Sequence, residues 1–358
     1  MVERVVVPVS TPYPVVVGEG LNLAGSISEV LETGVAVVLT DSNVAPLHAD
    51  AVVSTLRAGG WNILEVIEVP SGESSKSLGV YGEVVGRLAS SGLTRDGTLF
   101  ALGGGVVGDL GGFAAATYMR GISFVALPTS LLAMVDSSVG GKVGVDLPEG
   151  KNLVGAFLRP RAVLADLAHL DTLPDRELSC GLAEVVKMGL LAGGSYLDDL
   201  DLLEAARARE PEALRKLVLH AIQFKAEVVA ADELESGRRA ILNYGHTIGH
   251  ALEAVADYAL PHGEAISAGM VAAAHLSHEK LGTDLVELHR DLLQSAGLPV
   301  EASAADPGKV LAAMARDKKR RSGDGPEHRF VLLEDIGRPV WGVPITDDEA
   351  RRAIEAIT

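Results

Sequence analysis

Apolar and polar positions along this chain follow two different rhythms. Up to about residue 172, short β-branched runs alternate with helical stretches. VAVVLT (35–40), NILEVIEVP (62–70), GTLFAL (97–102) and ISFVAL (122–127) read as buried parallel strands. Turn residues and an amphipathic segment follow each of them, the rhythm of an open α/β sheet. From Leu173 onward the texture changes to long helices rich in Ala, Leu and Glu, at 176–192, 211–230, 240–257 and 263–281. Only RFVLLED (329–335) and PVWGVP (339–344) read as strands there, a small terminal hairpin. The pattern predicts an α/β domain with a mostly parallel, Rossmann-like sheet over 1–172, then a mainly α-helical domain over 173–358. The break falls near TLPDRE (172–177), and SGDGPEH (322–328) is the one stretch expected to be a mobile loop.

Composition narrows the class. With 358 residues, 47% of them apolar, the chain can fill two cores. Aromatics are only 4%, so Val, Leu, Ala and Ile must build those cores. No apolar run approaches the roughly 20 residues that span a bilayer. MVERVVVPVS sets acid beside base without a small-residue cleavage site, which argues against a signal peptide. A single cysteine, Cys180, excludes a disulfide framework within the chain. These features point to a soluble cytoplasmic protein. The net charge of −17 disfavours general nucleic-acid binding, which needs a basic face. Basic residues gathered in motifs are then local exceptions.

Ligands of open α/β sheets bind beyond the carboxyl ends of the strands. Asp41 and Asn43, the 71–76 loop, the 103–109 turn and Pro128-Thr129-Ser130 all fall at such ends, so four strand exits point to one crevice. GGGVVG (103–108) satisfies the G-x-G-x-x-G pattern, whose glycines let backbone N–H groups approach a pyrophosphate. It follows about the fourth strand, however, and no acid lies about 20 residues on. A tight strand-to-helix turn explains it equally well, until Asp41 is added as a partner for a ribose hydroxyl. SGESSK (71–76) alone reads as a helix start, capped by Ser71 or Ser74, with Glu73 and Lys76 solvated. VDSSVGGKVGVDLPEGKN (135–152) gathers Asp136, Lys142, Lys151 and Asn152 among glycines, a density suited to backbone passing close to a ligand. It is expected to be a substrate loop.

Glu184 and Lys187 stand i, i+3 on one helix, which a surface ion pair would explain. His246 and His250 stand i, i+4, the zincin spacing, yet Thr247 replaces the zincin glutamate and disfavours a metalloprotease. His262 opens the next helix after Pro261. One carboxylate with two or three histidines leaves an open coordination position, as catalytic zinc sites do. Arg120, Lys142, Lys187, Lys225, Arg239 and the Lys318-Lys319 pair lie in or beside these motifs. In an acidic chain they suggest a doubly anionic substrate, although a solvated helix face would account for any one alone.

Taken together, ALGGGVVGDLGGFAAATYMRG, VDSSVGGKVGV, GKNLVGAF, TLPDRELSCGLAEVVKMG, RAILNYGHTIGHALE and PHGEAIS resemble the 3-dehydroquinate synthases. The resemblance runs over nearly the whole chain. It implies a dehydroquinate synthase-like fold, a homodimer, and conversion of 3-deoxy-D-arabino-heptulosonate 7-phosphate to 3-dehydroquinate and phosphate. That step belongs to the shikimate pathway, toward chorismate and the aromatic amino acids. The implied cofactors are NAD, recycled within each turnover, and one divalent metal ion, zinc or cobalt. The implied metal ligands are Glu184, His246 and His262. NAD would meet Asp41, Asn43, Glu73, Lys76, Gly104, Gly105, Val106, Asp109, Thr129, Ser130, Lys151, Thr172 and Glu177. The substrate would meet Arg120, Asp136, Lys142, Asn152, Lys187, Lys225, Arg239, Asn243, His250 and one of Lys318 or Lys319. Glu235 and His250 would accept protons.

Two departures from the family pattern stand out: Thr129-Ser130 replaces the usual Thr-Thr, and the stretch after Lys318-Lys319 is longer. The implied chemistry is oxidation by NAD, loss of phosphate, return of the hydride, ring opening and intramolecular aldol closure. The alternatives are an aminodehydroquinate synthase or another sugar-phosphate cyclase, and, further off, a metal-dependent polyol dehydrogenase. GGGVVGD, VDSSVGGK and Asn243 favour dehydroquinate synthase over the deoxy-inosose and epi-valiolone synthases.

Overall fold

The computed structural model describes residues 2–257, 259–302, 305–315 and 327–358. The chain divides into two compact units, one formed by residues 1–174 with 225–234, the other by 175–224 with 235–358.

Unit 1 is built on a seven-stranded sheet. In chain order its strands are β1 (Glu3–Val7), β2 (Tyr13–Gly18), β3 (Val35–Asp41), β4 (Asn62–Val69), β5 (Thr98–Gly103) and β6 (Ser123–Pro128). A separate pair follows, β7 (Lys142–Leu147) and β8 (Gly150–Phe157), and then β9 (Ala162–Asp166) returns to the sheet. The spatial order is β1-β2-β9-β6-β5-β3-β4, parallel throughout except for the antiparallel β1–β2 pair. The four expected strands are thus consecutive neighbours. Every residue of central β5 is buried, whereas β4 closes the edge and is only partly buried. Helices α1 (Leu23–Ser28), α2 (Asp50–Ala58), α3 (Leu78–Ser90) and α4 (Gly105–Thr117) accompany the sheet. Ile27, Val38, Leu56, Phe100 and Leu164 pack in one core, with Trp61 edge-on to Phe100 at 5.0 Å.

After β3 the chain steps outward to β4, then returns to β3's other side as β5. That reversal is the topological switch point where α/β sheets bind ligands. The glycine turn lies there because it follows β5, the strand that adjoins β3 on that other side.

The segment expected to be a substrate loop is largely a hairpin. β7 and β8 pair antiparallel, with Lys142 opposite Phe157 and Val145 opposite Val154. Val143, Val145 and Val154 provide the β-branched positions, but interleaved glycines hide their alternation.

Unit 2 is mainly helical. Its helices are α5 (Asp175–Ala192), α6 (Ser195–Asp198), α7 (Leu203–Arg207), α8 (Pro211–Ala231), α9 (His246–Val255), α10 (His262–Leu281), α11 (Val286–Ser295), α12 (Pro307–Met314) and α13 (Asp347–Glu355). The last turns of α8, from Lys225, belong to unit 1. β10 (His328–Asp335) and β11 (Arg338–Ile345) form the expected terminal hairpin, antiparallel. α5 and α10 are buried over most of their circumference, as helices apolar all round must be. The expected helix over 240–257 is in fact broken. A 3₁₀ turn covers Arg238–Asn243, and Gly245, left-handed at φ 76°, separates it from α9. Among the described residues, no helix is long and apolar enough to cross a membrane. The mobile loop expected at 322–328 lies outside the described residues as far as 326; His328 begins β10.

Candidate active site

At the carboxyl ends of β3–β6 the strand exits are tied to one another. The Thr129 N–H donates to the Gly103 carbonyl at 3.0 Å, and the Ser42 N–H to the Val69 carbonyl at 3.0 Å. Asp41 ends β3, and its Oδ1 accepts the N–H groups of Asn43 at 2.9 Å and Val44 at 3.0 Å. Gly104 is the N-cap of α4 and offers no capping side chain. The first N–H groups of that helix therefore present the positive dipole end that favours an anion. Gly104, Asp109, Ser137 and Lys142 line a narrow cavity beside it.

SGESSK does not behave as a solvated cap. Glu73–Ser75 form a 3₁₀ turn, and the cap of α3 is Ser77, accepting from the Val80 N–H. Lys76 is buried, and its Nζ donates to Asp109 Oδ2 at 2.8 Å and Asn152 Oδ1 at 2.7 Å. Burial opposes that ammonium's charge, but Asp109 and Glu73 outweigh it and raise its pKa. Lys151 reaches Glu73 at 3.2 Å. The backbone N–H of Asn152 donates to Asp146 Oδ1 at 2.6 Å. Five of the expected site residues thus share one network, to which Asp146 is an unforeseen addition. His48, also unforeseen, holds the Thr172 hydroxyl at 2.8 Å through Nε2. Lys225 donates to the Asp136 carboxylate at 2.5 Å and to its carbonyl at 2.6 Å. Arg120 and Lys142 stand exposed, as does Glu177, which lies in the first turn of α5 in unit 2.

In unit 2, Glu184 projects from α5 and is completely buried. His246 is the first residue of α9 and His262 the first of α10. Two glycines let the start of α9 pack closely against the second and third turns of α10. A Cβ on Gly269 would lie 2.1 Å from the Gly245 carbonyl oxygen, and one on Gly245 would lie 3.0 Å from the Met270 nitrogen. Only hydrogen at both positions allows that approach, and the two imidazole rings stand 5.4 Å apart at 68°. Each places Nε2 3.5 Å from the same oxygen, Glu184 Oε1. The other carboxylate oxygen faces the Lys187 ammonium, which also donates to the Leu242 carbonyl at 2.7 Å. Burial alone would raise the Glu184 carboxyl; Lys187 and His262 hold it at about 2.

Among the described residues, nothing donates a hydrogen bond to Glu184 Oε1, although it lies 3.5 Å from two ring nitrogens. One carboxylate oxygen and two imidazole nitrogens, all within 4.8 Å of one another, form a donor set that fits a divalent metal such as zinc. His250 stands 5.1 Å from His246 and 6.0 Å from His262, ring centre to ring centre. With Glu253 and His262 it forms a second group of the same span. Glu253 escaped sequence reasoning, though its place on the face of His246 and His250 could have revealed it. Asn243 donates to Glu235 Oε1 at 3.2 Å, and Arg239 is buried. Arg120, Asn152 and Glu235 all hold positive φ, at 66°, 54° and 56°. Such strain in non-glycine residues concentrates where function fixes the backbone. Lys318 and Lys319 lie outside the described residues.

Comparison with known proteins agrees with these features. The model of the 3-dehydroquinate synthase N-terminal region matches residues 66–180, and that of the C-terminal region matches 181–320. A 3-dehydroquinate synthase of Acidithiobacillus ferrooxidans is 50% identical over 336 residues, spanning 92% of this chain and 90% of that protein. A solved 2-deoxy-scyllo-inosose synthase, complexed with carbaglucose-6-phosphate, NAD+ and Co2+, superposes with a TM-score of 0.90 at 26% identity, over 100% of both chains. A 2-epi-5-epi-valiolone synthase from Streptomyces hygroscopicus, with NAD+ and Zn2+ bound, gives 0.87 at 28% identity over 97% of each chain. The glycine turn, the buried carboxylate–histidine cluster and these matches together place the chain in the 3-dehydroquinate synthase family.

Proposed function

We propose that this protein converts 3-deoxy-D-arabino-heptulosonate 7-phosphate to 3-dehydroquinate and phosphate, with NAD recycled and one divalent ion, zinc or cobalt. The observation that carries this reading is the convergence of His246 and His262 on the buried Glu184 carboxylate, beside Lys187, in a member of this family. The relatives that hold NAD+ with Co2+ or Zn2+ support the same cofactors here. When bound, NAD would supply reversible hydride transfer, and the metal would polarise the oxygen-bearing carbon.

The chain's own residues position and protect. Glu184, His246 and His262 would be the metal ligands. Asp41, Asn43, Glu73, Lys76, Gly104, Gly105, Val106, Asp109, Thr129, Ser130, Lys151, Thr172 and Glu177 would receive NAD. In that role the buried Lys76 holds Asp109 and Asn152 in place while keeping its charge. Arg120, Asp136, Lys142, Asn152, Lys187, Lys225, Arg239 and Asn243, with Lys318 or Lys319, would fix the substrate's carboxylate and phosphate in one orientation. Such orientation supplies several kcal/mol or more toward the barrier. His250 and Glu235 would accept protons, Glu235 steadied by the Asn243 amide. A cytoplasmic homodimer completes the reading, and sedimentation should give the mass of two chains.

The deciding experiment measures phosphate release from the heptulosonate phosphate with NAD far below the substrate concentration. Many turnovers per NAD, without accumulating NADH, are expected. Stoichiometric NADH would point instead to a polyol dehydrogenase, and inactivity toward this substrate to another cyclase.

A further inference from the structure

His262 is held from both sides. Its Nε2 lies 3.5 Å from Glu184 Oε1, and its Nδ1 lies 3.5 Å from Glu253 Oε1. His246 follows the same arrangement, with Nδ1 2.9 Å from the Tyr244 carbonyl and Nε2 toward Glu184. Both rings therefore aim the same nitrogen at one carboxylate while the other nitrogen is tied down. The anchors differ in charge: a neutral carbonyl for His246, a carboxylate for His262.

Glu253 has no counterpart among the roles already assigned. It sits on α9, seven residues after His246 and three after His250, so the three share a face. Only 3% of it is exposed. A carboxylate is costly to bury without a partner that needs it. The Nδ1–H of a metal-ligating histidine is such a partner: carboxylates placed there fix the tautomer and strengthen the ligand.

We propose that Glu253 is the positioning residue for His262, accepting its Nδ1–H so that Nε2 keeps its lone pair for the cation. Glu253 then sets the affinity of the Glu184–His246–His262 centre without entering it. This inference rests on reading that trio as the metal site. It competes with one alternative on the same ring, a cation seated between His250, Glu253 and His262, which would make Glu253 a ligand.

The two can be separated with Co2+ as the probe, titrated against a competing chelator into metal-stripped, full-length protein at pH 9, where protons compete little for His262. Glu253→Gln keeps the shape and an acceptor oxygen but removes the charge. It should bind Co2+ about 10- to 100-fold more weakly, with cobalt absorption bands that report unchanged ligands. His250→Ala should bind as the parent protein does, and Glu184→Gln should lose binding. Parent-like affinity in Glu253→Gln, with binding lost in Glu184→Gln, overturns this inference and leaves the metal site standing. Binding lost in His250→Ala and Glu253→Gln but kept in Glu184→Gln moves the cation to the other trio and overturns both. Should Glu253→Gln fail to fold, Glu253→Asp, which withdraws the charge by one methylene, decides in the same way: parent-like affinity refutes the role.

Discussion

Tyr244 and His289 form a closed pair inside unit 2. The phenolic oxygen lies 2.8 Å from Nε2 of His289, and Nδ1 lies 2.7 Å from the Leu285 carbonyl. A carbonyl only accepts, so Nδ1 carries the proton and Tyr244 donates to Nε2. Both side chains are fully buried, and burial pushes the imidazole down to about 4. The pair secures the backbone of Tyr244, whose carbonyl in turn holds His246.

A pH-dependent stability follows. The folded pKa of His289, about 4, lies below the unfolded value of about 6.5, so the fold favours the neutral ring. Its contribution is complete above pH ~6.5 and is lost as pH falls through about 4, to a total on the order of 3 kcal/mol. Urea unfolding of the parent and of His289→Gln should show the parent losing more stability across that window. Parallel curves would contradict the assignment.

Lys76 predicts a divergence between stability and binding. Lys76→Met leaves the half-buried Asp109 without its cation and should cost on the order of 2 kcal/mol. The double variant Lys76→Met/Asp109→Leu should regain most of that. Neither should recover NAD affinity if Lys76 belongs to the cofactor site. Calorimetric titration showing parent-like NAD affinity in both variants would remove Lys76 from it.

Arg239 predicts the converse. Arg239→Ala strips a charge-assisted hydrogen bond worth roughly 1.5–3 kcal/mol. Substrate efficiency should fall about ten- to hundred-fold, at 1.4 kcal/mol per decade, while NAD affinity barely changes. Equal damage to both quantities, or to neither, would show an ordinary structural charge.

Metal binding should itself depend on pH. Burial lowers the His262 pKa, but the carboxylates of Glu184 and Glu253, each 3.5 Å from a ring nitrogen, more than offset this and raise it to about 9 in the metal-free protein. Below that value a cation must displace a proton, so apparent affinity should fall about tenfold per pH unit on acidification and level off above it. Chelator competition from pH 6 to 10 gives the slope. A flat profile would mean that His262 is not a ligand.

Much of the fold could be read along the chain because β3, β5 and β6 are short, nearly continuous apolar runs bounded by turn residues, which a buried strand explains. β1, β2 and β9 escaped notice: β9 is five residues long and recognisable only once β2 and β6 flank it. The hairpin of β7 and β8 was hidden by its glycines, and the break at Gly245 by apolar spacing that continues through it. At the site, His246 stood out through its i, i+4 spacing to His250, and His262 because it opens a helix directly after Pro261. Glu253 did not, since a glutamate on an amphipathic helix ordinarily faces water. Nor did local sequence reveal the burial of Lys76. Its partners Asp109 and Asn152 lie 33 and 76 residues away, and only the folded sheet brings them together.

The stretch from Lys225 to Leu234 gives the two units an unusual inheritance. The chain leaves unit 1 at Pro174, returns to it for ten residues, and leaves again. That visit delivers the ammonium that grips Asp136 and also Glu233, which pairs with Arg159 and accepts from the Ser10 hydroxyl at 3.0 Å. A gene fragment ending at Pro174 would therefore encode a unit 1 lacking these three tethers. A fragment starting at Asp175 would carry ten residues parted from these partners. No single cut separates the halves, so they must be expressed, swapped and recombined as one piece.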